Sequence, residues 1–199
     1  MTAPNAARLR QIAKLRGVSY RAVPSRDPLA VKTKMSRVFP VSQKKAFWAF
    51  TDPMSHVPLF AIIMGSTPAI RRGIDLILPE NQFFAFEHVQ EGSLPPRIML
   101  VKYTLEEPIR ITKEAVTDPF SEGDIVILDR KKGKVVFTFE GVTRNTTRIT
   151  AESTFQATTG AVFARPFIDL VWLNFFERMM VADGELPDDQ MLTKEFFRE

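Results

Sequence analysis

The segment Ala161–Ala182 constrains this chain more than any other. Gly160 precedes it and Gly184 is a natural stop, so it reads as one uninterrupted helix. At 1.5 Å per residue such a helix spans about 33 Å. Its apolar residues, among them Phe163, Phe167, Ile168, Val171, Trp172, Phe175 and Phe176, run nearly all the way round. A helix that is apolar on most faces is buried on most faces, so the rest of the chain has to wrap it. It is not a membrane span, because Arg165, Asp169, Glu177 and Arg178 interrupt the roughly 20 apolar residues that a span needs.

The wrapping material is strand text. Lys34–Val41 is expected as a first strand. Two short helices follow: Gln43–Phe50 behind the N-cap Ser42, and a second, holding His56, behind Asp52-Pro53. From residue 69 to 157 the pattern predicts six or seven strands. They are Ile70–Leu78, Gln82–Val89, Ile98–Leu105, Ile109–Val116, Asp124–Asp129, Val135–Val142 and Thr147–Ala157. Turn residues separate them, including Lys131-Lys132-Gly133 as a basic hairpin tip. Val135, Phe137 and Phe139 alternate with polar neighbours, as do Ile149, Ala151, Ser153 and Phe155. Period 2 with one polar face means an antiparallel sheet covered on one side, and connections this short leave no room for crossover helices. Strands followed by a long helix make an α+β fold.

Charge divides the chain unevenly. Of 27 Lys and Arg, six lie in residues 1–31 (Arg8, Arg10, Lys14, Arg16, Arg21, Arg26) against the single acid Asp27. Residues 1–31 are therefore expected as a basic arm and linker, 32–184 as a near-neutral domain and 185–199 as an acidic, then amphipathic tail. Leu9, Ile12, Ala13 and Arg16 fall at helical spacing. The arm is expected either to meet an anionic membrane surface through Arg8, Arg10, Lys14 and Arg16, or to be a loosely docked helix. Its acid-free, Arg-rich text also imitates an organellar presequence. The absence of cysteine excludes disulfides and thiolate metal sites and fits a reducing, cytoplasmic location. With only His56 and His88, a His-rich metal site is excluded too. No Gly-rich phosphate loop, nucleophile elbow or zinc helix occurs, so no cofactor or metal is expected. Nucleic acid is not expected as a partner, because no aromatics are interleaved with the basic residues.

Three stretches carry a family resemblance. Val38-Phe39-Pro40-Val41-Ser42 leads into Ala46-Phe47-Trp48-Ala49-Phe50-Thr51-Asp52-Pro53. Phe137 to Thr150 forms a second stretch, and Ala164-Arg165-Pro166-Phe167 opens the final helix. Together they resemble the START-like, or SRPBCC, superfamily over roughly residues 33–184. That resemblance implies a helix-grip fold, in which a curved antiparallel sheet of about seven strands surrounds a long C-terminal helix. It also implies a cavity for a hydrophobic small molecule such as a lipid, isoprenoid or polyketide. The superfamily also contains cyclase- and dehydratase-type enzymes, so the same cavity is open to a catalytic reading; a membrane- or protein-docking module using the arm is a third.

In a cavity of this kind Phe83, Phe86, Phe137, Phe139, Phe155, Phe167 and Val171 are the expected apolar lining, unless the rings simply fill a solid core. Asn174 and Arg178, one turn apart on the long helix, are polar handles if their side meets the cavity. Weak acid–base candidates are His88, Tyr103 and Glu114. Glu114 shares a strand face with Arg110 and Thr112, an alternation that suits either a buried pair or an exposed face.

Overall fold

The computed structural model describes residues 5–51, 67–69, 81–89, 97–115, 128–157 and 161–196. The chain opens with α1 (Ala6–Leu15). Asn5 caps it, its side chain accepting the Ala7 N–H at 2.8 Å. Gly17, at φ 63°, ends it where the chain must turn left-handed. Then come β1 (Ser19–Ala22), β2 (Ala30–Phe39), α2 (Gln43–Thr51), β3 (Thr67–Ala69), β4 (Gln82–Val89), β5 (Arg97–Glu106), β6 (Arg110–Ala115), β7 (Leu128–Thr143) and β8 (Thr146–Ala157). The helix α3 (Ala161–Ala182) follows, and two 3-10 turns, Asp188–Gln190 and Leu192–Phe196, end the described chain.

Among the described residues the eight strands form one antiparallel sheet in the order β1-β2-β8-β7-β6-β5-β4-β3. The fold is thus the α+β grip expected from the sequence, with one long helix laid across the inner face. Odd-numbered residues of β2, β7 and β8 face inward: Val31, Met35, Phe39, Phe137, Phe139, Ile149 and Ala151 are all buried. From α3, Trp172, Phe175 and Phe176 meet them, with Phe176 stacked on Phe39 at 6.3 Å.

Several expectations need correction. The first 31 residues are not an arm beside the fold. Leu9, Ile12 and Ala13 are buried in the same core as α3, and β1 pairs with β2 through Ser19↔Ser36 to Ala22↔Thr33. Two of the four cations assigned to a membrane surface are also committed within the chain. Arg8 pairs with Glu195, and Arg16 donates to Glu177 at 2.6 Å and to the Gln190 carbonyl. Among the described residues no helix is long and apolar enough to cross a membrane. The first core strand starts at Ala30, four residues earlier than expected. Asp124–Asp129 and Val135–Val142 are not two strands around a basic tip: residues 128–143 form one strand, with an irregularity in register between Asp129 and Lys134. The second short helix with His56, and the strand text at Ile70–Leu78, lie outside the described residues.

The tail closes the outer side. Met191 and Thr193 are buried against α3, and Arg37 of β2 pairs with Glu185. Glu177 has no exposure at all. Its carboxylate accepts from Arg16 Nε, from the backbone N–H groups of Leu192 and Thr193, and from the Thr193 hydroxyl at 2.7 Å.

Candidate ligand site under the long helix

The two ends of the grip are built differently. Near α2 the space is full of rings. Phe47 and Phe50 of α2, Phe137 and Phe139 of β7, and Trp172 and Phe175 of α3 pack edge-to-face or tilted; Phe50 lies 5.1 Å from Phe139 and Phe137 lies 5.6 Å from Phe175. Phe137 and Phe139, expected as ligand lining, are about 1% exposed and serve here as core.

Toward the other end the sheet changes character. Register places Phe83, Tyr103, Lys113, Val135, Ser153 and Thr33 side by side across β4, β5, β6, β7, β8 and β2. Tyr103, Lys113, Ser153 and Thr33 are buried, so this row carries polar groups on the inner face where the rows beside it are apolar. Lys113 is only 7% exposed, and its Nζ sits 5.2 Å from the centroid of the Tyr103 ring, inside cation–π range. The Ser153 hydroxyl accepts the Trp172 indole N–H at 2.9 Å.

At the β1–β2 flank a second polar group is enclosed. The Tyr20 hydroxyl donates to Asp169 Oδ2 at 2.7 Å. Asp169 Oδ1 and the Thr33 hydroxyl are buried without a hydrogen-bond partner among the described residues. Burial pushes the Asp169 carboxyl above the usual carboxylate range, against the opposing pull of Tyr20 and Arg165. Burial, and then the bond to Asp169, push the Tyr20 phenol up to about 12.

At about 100° per residue, Asp169, Glu177 and Asn174 occupy one arc of α3 some 140° wide, while Trp172, Phe175 and Phe176 occupy the facing arc. Phe167 and Val171 fall roughly opposite Asp169 by the same rotation. Since Asp169 meets Tyr20 at the β1–β2 side, Phe167 and Val171 lie on the flank turned toward the β4–β6 half, where Tyr103 and Lys113 are. Both are half-buried, as is Phe155, the inward residue after Ser153 on β8. Apolar side chains with retained exposure therefore border a short polar row.

Other candidates fall elsewhere. Asn174 and Arg178 do meet, Arg178 Nε donating to Asn174 Oδ1 at 3.0 Å, but Asn174 also donates to the Thr193 hydroxyl. Asn174 thus holds the tail on the outer side of α3, whereas Arg178, about 180° round the helix from Asp169, falls on the same flank as Phe167 and Val171. Glu114 lies on the outer face between Lys102 at 3.1 Å and Lys134 at 3.3 Å, and the bond to Lys102 holds its carboxyl below the usual range. Arg110, on the same face, pairs with Glu106. That face is a solvated one, and Glu114 has no place in an inner site. His88, Phe83 and Phe86 sit on β4, with Phe83 opposite Tyr103 and His88 between Thr67 and Ile98; their side chains lie outside the description. Lys113 was not singled out from the sequence. Its signal was available: if Arg110, Thr112 and Glu114 face outward, period 2 turns Ile111 and Lys113 inward. Among the described residues no group of three or more acidic residues or histidines is placed to hold a metal ion.

No protein-family model and no curated protein matches the chain. Solved structures do. A conserved protein from Geobacillus kaustophilus is 14% identical, with a TM-score of 0.55 over 78% of this chain and 96% of its own. XoxI from Bacillus cereus is 11% identical, with a TM-score of 0.54 over 77% and 96%. The Zhui aromatase/cyclase from Streptomyces is 9% identical, with a TM-score of 0.51 over 77% and 96%. At such identities the likeness is one of fold alone, the helix grip of a curved antiparallel sheet around a long C-terminal helix.

Proposed function

We propose that this chain binds a hydrophobic small molecule, without forming a covalent bond to it, between α3 and the β4–β6 half of the sheet. The observation that carries the reading is the asymmetry of the grip. Six rings fill the α2 end, whereas the other end combines half-buried Phe155, Phe167 and Val171 with the buried polar groups of Tyr103, Lys113 and Ser153. Small-molecule sites are built this way, with apolar walls and a few convergent polar groups. A chain that needed only a solid core would carry apolar side chains along that row as well, since a buried ammonium and a buried phenol have to be desolvated.

The test is extraction of the purified protein followed by mass spectrometry, together with titration of N-phenylnaphthylamine fluorescence. A co-purifying apolar compound, or saturable binding at one site that is lost in Val135→Trp, supports the proposal. Absence of both from a folded protein overturns it.

A second reading is favoured by the Tyr103–Lys113 pair. A phenol beside a buried amine is a proton donor–acceptor set, and a protein of like fold is an aromatase/cyclase. On that reading the site would cyclise or dehydrate its bound molecule. Turnover of a cyclisable poly-β-keto thioester that falls in Tyr103→Phe while binding persists would support it; binding with no turnover leaves the carrier function alone.

A further inference from the structure

We infer that the end of the molecule formed by α2 and by the β5–β6 and β7–β8 turns docks on an anionic phospholipid surface. The inference stands apart from the ligand reading, because it concerns the ring-filled end of the grip and not the space beside β4–β6.

Apolar side chains meet solvent unevenly. Among the described residues seven large ones are exposed, and four of them, Val38, Trp48, Ile109 and Val142, belong to this end. They come from four elements that the backbone ties together. Val38, near the end of β2, pairs with Arg148 of β8, which pairs with Glu140 of β7. The Ile109 carbonyl accepts the Phe139 N–H at 2.8 Å, and Val142 falls at the register shift before the β7–β8 turn. The helix α2 closes the end: Gln43 donates to the Phe139 carbonyl at 2.7 Å, and Phe47, beside Trp48, packs on Phe139 at 5.6 Å. Three strand spacings, roughly 14 Å, separate β2 from β6, so the four lie within one small area. Leu29 and Val162, before β2 and at the start of α3, are at the opposite end. Single exposed apolar residues are ordinary, but several together mark an interaction surface.

Charge decides what the partner is. The acids at this end are engaged within the chain: Glu106 by Arg110, Glu140 by Arg148, Glu185 by Arg37, and Glu107 by the Trp48 indole N–H at 3.1 Å. Asp183 lies beside Glu185 and feels Lys45. Lys44 and Lys45 of α2 and Arg144 in the β7–β8 turn are exposed, and among the described residues Lys44 and Arg144 form no ion pair. Lys44 and Trp48 are four apart, so a cation and an indole share one side of α2. Cations around exposed apolar side chains match anionic headgroups above an acyl layer, and each cation near such a surface adds to the attraction. Indole is a ring that settles at that boundary, its body apolar and its N–H left for a polar partner, here Glu107. A protein partner matches less well. It would need a contiguous apolar core, and Arg148 and Glu140 interrupt the row that starts at Val38. The cations are also not those of α1, where Arg8 and Arg16 are committed to Glu195 and Glu177.

The experiment is sedimentation with vesicles of phosphatidylcholine alone and of phosphatidylcholine mixed with phosphatidylserine. Wild type is expected to bind the mixed vesicles at least about tenfold more tightly than the neutral ones, and to lose that preference at high salt. Lys44→Gln, Lys45→Gln and Arg144→Gln together should weaken binding to the mixed vesicles about tenfold or more. Ile109→Ser with Val142→Ser should weaken it through lost apolar contact. Of the two tryptophans, Trp172 is buried and donates to Ser153, so a blue shift of emission on mixed vesicles reports Trp48 and should vanish in Trp48→Phe. Circular dichroism checks that each variant is folded, and N-phenylnaphthylamine titration of the same preparations reads the ligand site separately. Wild type without a preference for mixed vesicles, or charge and apolar variants that both bind them like wild type, overturns the proposal and leaves the ligand reading untouched. Light scattering that shows a second copy seated through the same residues, with no vesicle binding, overturns it too and makes this end a dimer contact.

Discussion

Replacing Glu177 by Ala removes the acceptor for four donors at once. The carboxylate is buried and takes Arg16 Nε at 2.6 Å, the Leu192 N–H at 3.1 Å, and the Thr193 N–H and hydroxyl at 2.8 and 2.7 Å. Arg16 is itself mostly buried and keeps its second contact, to the Gln190 carbonyl. Truncation therefore leaves a guanidinium and two backbone N–H groups enclosed without their partner. Breaking one half of a buried pair costs about 3–5 kcal/mol. For a chain of this length each kcal/mol moves Tm by about 2–4 °C, so the midpoint should fall by about 6–20 °C. Thermal denaturation followed by circular dichroism measures this. Hydrogen exchange at the Leu192 and Thr193 amides shows whether the tail is released before the body unfolds. The partner test is Arg16→Met with Glu177→Met. Removing both charges should recover much of the loss, because an apolar pair avoids the desolvation that the ion pair suffers. The reasoning is refuted if Glu177→Ala melts within about 2 °C of wild type, or if the double variant loses the sum of the two single losses.

Other outcomes follow from individual contacts. The Tyr20 phenol, raised to about 12, contributes stability that is complete below pH 10 and is lost as the pH rises from 10 toward 12. Phenolate absorbance in a Tyr103→Phe background should show that delayed ionisation, and Tyr20→Phe should remove the alkaline slope of Tm. Asp169 has its folded pKa raised, so it favours the folded state more as the pH falls through that raised value to the ordinary carboxylate range, below which nothing further is gained. Asp169→Asn should then gain on wild type at neutral pH and lose that advantage in acid, as read by urea denaturation at the two pH values. Phe137→Ala, inside the ring cluster, should cost about 3–5 kcal/mol without changing the affinity for N-phenylnaphthylamine. Glu114→Gln should cost no more than about 1 kcal/mol, less at high salt, and leave probe binding intact.

The fold was readable because hydrophobic periodicity is local. The alternation in Val135–Val142 and Thr147–Ala157 survives as the central β7–β8 pair, and the all-round apolarity of α3 does end wrapped by sheet, α1 and tail. The spacing of Leu9, Ile12, Ala13 and Arg16 also produced its helix. What failed was the inference from charge by segment. Six cations near the start suggested an arm seeking an anion outside the chain, but Glu177 and Glu195 lie 161 and 187 residues from Arg16 and Arg8. Net charge counts residues and is blind to such pairing, so a basic segment and a distant acidic one that neutralise each other look like two separate features. The bulge in β7 escaped for a similar reason: Lys-Lys-Gly is good turn chemistry, and only the register against β8 shows that the strand continues through it.

The orientation of α3 decides which side chains border the site, and here the polar minority of the helix holds more information than its apolar majority. Apolar residues on every face cannot say which face meets the sheet. The few that must be hydrogen-bonded can: Asp169, Asn174 and Glu177 fall within one arc of about 140° at 3.6 residues per turn, and that arc is the one that Tyr20, Arg16 and the tail cover. Asn174 and Arg178 were correctly paired by their spacing, but which side they face stayed open, because they were weighed without Glu177 and Asp169. Together Asp169, Asn174 and Glu177 place the outer face of the helix, leave Trp172, Phe175 and Phe176 for the sheet, and turn Phe167, Val171 and Arg178 to the flank facing β5 and β6. On β6 the same principle identifies Lys113, the charged residue that period 2 assigns to the inner face. Buried polar groups are costly enough that each has to have a partner or a use. On α3 the partners come from the chain's own ends, Tyr20 and Arg16 from its start and Thr193 from its tail.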